Sequence, residues 1–452
     1  MAEEKEGAPR WQDRIPEPTP ERVVLLAGIL LALSLALLLA WSELKRPADV
    51  SNESVPFRAS QDQPTERVQK GKGVVTWPTF RLNRQRTGYL PIRGLRPPFE
   101  RIWRYGGKPL LEFPPVIAAG KLFFVDNDGH AIALDAENGK KVWTRRIARL
   151  NASSPTFSRG RLYIVNLEPG QVVALDAETG RPIWKRPLPC RSESSPIVVR
   201  GLIFFGCEDG SLYAKKTSNG KTRWRTSLGG AIKAAPAYRM GTLFVGDYGG
   251  LMNAVRARDG RILWQSSSLG PGLGRAGSFY STPAVAFGRV YSGNNDGRVY
   301  SFDSQTGELA WSFSTGGWVY SGPAVASVPG TKPSVYIGSF DGNVYALDAR
   351  DGGLRWSFDM GGRVIGSLSV IGRIVYASTF DGTSTYGLGV RKGNRRFSYF
   401  TGAYMPAVSD GQRLYIVGYS SIHALEPVPP SKAKRAESER SGKPSVAKRP
   451  RN

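Results

Sequence analysis

Two stretches of this chain read almost identically: ALDAENGKKVW at residues 133–143 and ALDAETGRPIW at residues 174–184. Outward from them, the spacing G-x-x-x-W recurs at Gly139/Trp143, Gly180/Trp184, Gly220/Trp224, Gly260/Trp264, Gly307/Trp311 and Gly352/Trp356. Gly393/Phe397 repeats it with a smaller ring, and Trp103 stands one period upstream of Trp143. Successive glycines are 41, 40, 40, 47, 45 and 41 residues apart. A fixed period of this length marks a repeat architecture.

Each period has the same internal order. The third reads SSPIVV, LIFFGC, SLYA and KTRWRT, four short runs of alternating or β-branched and aromatic residues separated by Gly-containing turns. Asp-Gly turn signals return at Asp128, Asp209, Asp296, Asp341 and Asp381. Four strands per period predict an all-β propeller blade. Seven complete blades begin near Pro115, Pro155, Pro196, Pro236, Pro283, Pro323 and Leu368. After Phe397 only three strands remain, around MPAVS, RLYIV and SIHAL, while the strand holding Trp103 has no blade of its own upstream. The N-terminal strand should therefore complete the C-terminal blade and close an eight-bladed ring without free edges. Trp103, Trp143, Trp184, Trp224, Trp264, Trp311, Trp356 and Phe397 then lie on outer strands, where a flat ring covers the seam between blades. Their expected role is architectural, and each indole N–H needs an acceptor nearby.

The pattern A-x-D-x-x-x-G-x-x-x-W, complete at Ala133/Asp135/Gly139/Trp143, Ala174/Asp176/Gly180/Trp184 and Ala346/Asp348/Gly352/Trp356, resembles the tryptophan-docking repeat of PQQ-type (quinoprotein) propellers. WPTFRLNRQRTGYL, from Trp77, is similar to the entry segment that precedes such repeats. The resemblance spans residues 76 to about 427 and implies a fold shared by PQQ-dependent dehydrogenases and by cofactor-free BamB-like assembly proteins. Lys216, Arg256 and Gly389 stand where the motif has Asp. No Cys for lipid attachment follows the apolar N-terminal run, which departs from the lipoprotein pattern of BamB-like proteins.

A quinone cofactor needs cations for its carboxylates, a Ca²⁺ held by carboxylate and amide oxygens, and a carboxylate base. The connections that would face the channel offer Glu193 and Asn151 but no Asp, and the dehydrogenases' adjacent-cysteine pair is missing. PQQ and calcium are expected only under an alternative reading as an alcohol or sugar dehydrogenase; the main reading has no catalytic residue, cofactor or metal. His130 and His423 fall in strand positions and read as packing or surface residues. GPGLGRAG at 270–277 is a weak phosphate-loop mimic.

The 62 Lys+Arg against 37 Asp+Glu, a formal charge of +25, describe partners and solubility and leave the fold open. Lys140, Lys141, Arg145, Arg146, Arg149, Lys185, Arg186 and Arg191 load the first blades, whereas ELAWSFST in blade 5 carries no cation. One basic side is thus expected, suited to anionic polymers, lipid headgroups or acidic envelope proteins; no nucleic-acid module accompanies it. The connection from Trp264 to Pro283 is longer than its equivalents. It should bring Arg275, Phe279 and Tyr280 to the channel mouth beside Lys233, Trp318, Tyr320 and Tyr404, forming a candidate partner-binding rim. A small-ligand sensor would use the same pocket.

Residues 23–41, VVLLAGILLALSLALLLAW, are uncharged and long enough for a membrane span. The expected organisation is a cytoplasmic segment (1–22), a transmembrane helix (23–41), a flexible linker (42–75), the propeller (76–427) and a basic disordered tail (428–452). The propeller is expected outside the cytoplasm, as a monomer. Cys190 and Cys207 fall at adjacent strand ends; they read equally as a disulfide or as two free thiols.

Overall fold

The computed structural model describes residues 19–44, 47–59, 76–271, 276–404 and 407–429, without the side chains of Arg22 and residues 38–44. Residues 1–18, 60–75 and Arg275 lie outside the described residues, as does the tail from residue 430. Eight four-stranded antiparallel meanders form the ring, each running from an inner to an outer strand. The first is Val116–Ala118, Lys121–Val125, His130–Asp135 and Lys141–Arg146. The eighth combines Val408–Ser409, Leu414–Val417 and Ser421–Pro427 with Phe99–Gly106 as its outer strand. The expected N-to-C closure is therefore present, with Trp103 opposite Ala424 across a register shift.

The repeated phrase interlocks neighbouring blades. Trp143 Nε1 donates to the Ala177 carbonyl of the next blade at 3.1 Å, and its ring lies on Gly180. A Cβ at Gly180 would fall 2.6 Å from that ring, and the glycine has φ +67°. From Trp103 on Gly139 to Trp356 on Gly393, the motif tryptophans repeat this arrangement, with 2.6–2.8 Å to the would-be Cβ. Aspartates such as Asp135 and Asp176 accept backbone N–H bonds within the turn carrying that glycine. The closing seam differs in both partners. Phe99 replaces the glycine, Phe397 replaces the tryptophan, and the two rings meet edge-on at 5.3 Å. A bulky floor leaves room only for the smaller ring.

Residues 77–90 fill the channel, which sequence reading did not foresee. Trp77 pairs with Ile117 of blade 1, and the Pro78, Arg84, Gln85, Thr87 and Gly88 carbonyls accept N–H bonds from blades 2, 4, 5, 6 and 7. Arg81 and Arg86 are buried at the axis. Arg81 donates to the Arg86, Gly322 and Pro323 carbonyls. Arg86 donates to the Phe80, Ser195, Pro196 and Pro236 carbonyls and to Thr79 Oγ1. Burial pushes both guanidinium groups down to about 9, with Arg81 adding repulsion at Arg86. Both stay charged at neutral pH, held by backbone dipoles converging from the blades.

Two expectations about the N-terminal region change. Residues 47–59, read as part of a flexible linker, lie along blade 5: Asn52 N bonds Ala310 O, and Ser312 N bonds Val50 O. Val55 O accepts from buried Arg289, and the Pro47 carbonyl accepts from Arg298. The segment covers ELAWSFST, which is why that strand has no cation to present to water and why Trp311 is fully buried. Helix α1 covers Pro20–Leu44. Among the described residues no helix is long and apolar enough to cross a membrane, so the expected span at residues 23–41 is not supported by them.

Cys190 and Cys207 form a disulfide, which ties the entry of blade 3 to the end of its second strand. Replacing both by Ser should lower unfolding stability by about 3 kcal/mol in urea titration, as expected for closing a short loop. Gly180→Ala should cost at least about 2 kcal/mol, from ring overlap and the positive φ. At the closing seam, Phe397→Trp alone should destabilise by about 1–3 kcal/mol, and Phe99→Gly in the same chain should restore at least about 1 kcal/mol.

Candidate functional site: the channel mouth

In each meander the outer-to-inner connections and the second-to-third turns share one face, and the remaining two hairpin turns share the other. A cavity of about 80 Å³ opens on the first face. All outer-to-inner connections contribute to its lining except the one from blade 1 to blade 2. Phe80, from the channel-filling segment, is part of the lining, and the bonding of residues 77–88 to the inner strands occupies the bore, so the mouth is blind.

The structure brings Lys233, Tyr280, Tyr320 and Tyr404 together in this lining, with Glu112, Phe113, Glu193, Ser195 and Ser367. Lys233 Nζ donates to Glu193 at 2.7 Å, lies 3.4 Å from Glu208 and sits over the Tyr248 ring. Burial alone would lower the Lys233 ammonium, but its bond to Glu193 and the charges of Glu193 and Glu208 raise it above the ordinary lysine range. Burial raises Glu112, reinforced by Glu193, and raises Glu193 against the pull of Lys233. Burial also pushes Tyr248 up to about 12 and raises Tyr280 further.

Aromatic rings surround the cavity in two groups. Tyr280 and Tyr320 lie 5.0 Å apart, Tyr320 is 5.0 Å from Phe340, and Trp318 stacks on Tyr320 at 5.8 Å. Trp318 is 54% exposed although it sits in a structured connection. Phe380, Tyr404 and Tyr419 form the second group. Phe279 departs from its expected place on the rim. It is fully buried and packs on Tyr300 and Phe302, because its side chain points into the blade where Tyr280 points out. Tyr248, Phe340, Phe380 and Tyr419 join the mouth from second-to-third turns, an origin that reading only the outer-to-inner connections overlooks. Glu112 stood in such a connection, LLEF, and its carboxyl was the legible signal.

Other candidates take structural places. Asn151 is buried and donates to Val165 O and Asn166 Oδ1, which occupies its amide internally. His130 lies 3.2 Å from Asp126. His423, in the strand that pairs with the closing strand, bonds Tyr399 and accepts from Arg104; burial and the charges of Arg101 and Arg104 lower it to about 4, so it is neutral. On the outer strands Lys140, Lys141, Arg145, Arg146 and Lys185 are exposed. Arg149 pairs with Glu168 and Arg191 with Glu208 at 3.6 Å, so part of the expected basic side is neutralised locally; Arg186 is half-buried beside the Trp184 seam.

The family described as "Outer membrane protein assembly factor BamB" matches residues 92–234 and 218–427. No curated protein is similar enough to count as a relative. Among solved structures, BamB from Moraxella catarrhalis is 18% identical with a TM-score of 0.61, covering 73% of this chain and 99% of that one. The quinohemoprotein alcohol dehydrogenase from Comamonas testosteroni is 13% identical with a TM-score of 0.66, covering 78% and 80%. The computationally designed Ika8 protein is 14% identical with a TM-score of 0.58, covering 72% and 98%. At these identities the likeness concerns the fold.

Glu112 carries a charge that burial disfavours. Its folded-state proton affinity exceeds the unfolded one, so stability is lost as pH rises through its titration. Glu112→Gln should therefore unfold at a higher temperature than the wild type at pH 8. The gain should vanish once the pH falls below the ordinary carboxylate range, as read by calorimetry at several pH values.

Proposed function

The chain belongs to the family of the outer membrane protein assembly factor BamB, and we propose that it is a non-catalytic binding platform of the cell envelope that engages a protein partner through its aromatic mouth. The observation that carries this reading is the blind mouth itself. Rings with exposed faces surround a cavity of about 80 Å³, room for only a few waters at ~30 Å³ each. Exposed aromatic clusters with a polar rim are characteristic of protein interfaces. The mouth also fits poorly with a planar tricarboxylate quinone. Its lining holds two carboxylates, Glu112 and Glu193, while Lys233 is already bonded to Glu193 and close to Glu208.

An envelope location outside the cytoplasm accords with the Cys190–Cys207 disulfide, since such bonds persist in oxidising compartments. The uncharged run at residues 23–41 would supply a single-pass anchor. Val24, Leu31 and Leu37 in helix α1 are more than 70% exposed, on a helix apolar all round, as a lipid-facing segment would be. The exposed cations of blades 1 and 2 would add contact with anionic polymers or headgroups.

A photo-crosslinking residue at Trp318 or Tyr320 in intact cells should capture a discrete protein, whereas one at Thr144 on an outer strand should not. With that protein in hand, Trp318→Ala should weaken binding by about 2 kcal/mol, roughly thirtyfold, and the chain should sediment with membranes after carbonate washing. Quinone absorbance changes and dye-linked alcohol oxidation on adding PQQ and Ca²⁺ would overturn the reading in favour of a dehydrogenase.

A further inference from the structure

The face opposite the mouth carries a second concavity, of about 1070 Å³, at the seam between blades 7 and 8. Arg96, Arg373, Arg391, Lys392 and Arg396 line it, and no carboxylate does. We propose that this cleft binds a multiply charged phosphate-bearing ligand, at a site separate from the mouth and independent of the function proposed for it.

The local structure gathers these cations. Arg373 lies in the turn between the first two strands of blade 7, and Arg391, Lys392 and Arg396 lie in or beside the turn between its last two. Arg96 arrives on the stretch that leaves the channel and enters the closing strand. Arg373 is held by its bond to the Pro329 carbonyl at 2.7 Å. Pro329 lies in SVPGTKP, the hairpin turn between the first two strands of blade 6. With the Asn394 amide turned so that its oxygen faces the guanidinium, Arg396 Nε donates to it at 3.1 Å. Among the described residues no ion pair engages any of the five.

Beneath them lie Phe99 and Phe397, the pair that replaces glycine and tryptophan at this seam. The ring's one departure from its docking rule thus coincides with its carboxylate-free cationic cleft. Four of the five cations are arginines, whose planar forks match phosphate oxygens in pairs. A phosphate chain presents oxygens on all sides, whereas an extended acidic peptide turns alternate carboxylates away. Position also bears on the source of the phosphate. Residues 47–59 start beside Arg298 on the mouth face and reach Asp303 and Gln305 on the hairpin face. The end joined to helix α1 is therefore on the mouth side, and the cleft points away from it, toward a soluble phosphorylated polymer.

The test is calorimetric titration of the full chain with inorganic tripolyphosphate. Arg96→Gln/Arg396→Gln should weaken binding by about tenfold or more. Arg145→Gln/Arg146→Gln, which removes the same charge from blade 1, should change it less than about twofold. Both variants should keep the wild-type unfolding temperature. Equal losses in the two variants, or no saturable binding, would overturn the site. Polyglutamate of matched charge binding as tightly as tripolyphosphate would overturn the ligand class. Flotation with phosphatidylglycerol vesicles separates the sources: binding that depends on Arg96 and Arg396 would assign the phosphate to a lipid headgroup, and its absence to a soluble polymer.

Discussion

The contact between each outer-strand tryptophan and the glycine of the next blade sets the rest of the molecule. It works only where the neighbour has no Cβ, and the ring N–H is satisfied by the carbonyl three residues before that glycine. One phrase therefore serves two seams, its tryptophan reaching forward and its glycine receiving the ring from behind. Because the chain closes on itself, the last seam must be solved with residues far apart in sequence, Phe397 and Phe99. A ring locked at its outer seams leaves the connecting loops free to carry function.

The centre is solved differently. The inner-strand starts converge on the axis with their carbonyls, which makes a polar, electron-rich bore that water or cations must satisfy. Arg81 and Arg86 do so with fixed, forked donors, and the backbone of residues 77–90 joins the inner strands. Burying two unpaired guanidinium groups is costly unless their donors are met, and here carbonyls from blades 3, 4 and 6 meet them. The consequence for the proposed function is direct, since a filled bore turns the mouth into a shallow floor.

Much of this was legible in the residues. Period, turn chemistry and the orphan strand at Trp103 implied eight blades and their closure, and the fate of each tryptophan followed. Lys233, Tyr280, Tyr320 and Tyr404 could be placed at the mouth because they sit in outer-to-inner connections. Phe279 could not be told from Tyr280 by position, since one step along an extended segment reverses the side chain. The uncharged ELAWSFST was visible but suggested only a less basic side; its cover, residues 47–59, has a polar composition that reads as linker. Nor does any periodicity announce a buried arginine, so the role of WPTFRLNRQRTGYL depended on long-range backbone partners.

The filled channel is the claim on which the blind mouth, and hence the non-catalytic reading, rests. Hydrogen exchange followed by mass spectrometry on peptides spanning residues 77–90 addresses it directly. The account predicts that the amides of Trp77, Leu82, Asn83, Arg86 and Gly88, all bonded within the bore, exchange as slowly as those of the inner strands. Exchange of this segment within seconds, at the rate of an open chain, would contradict it.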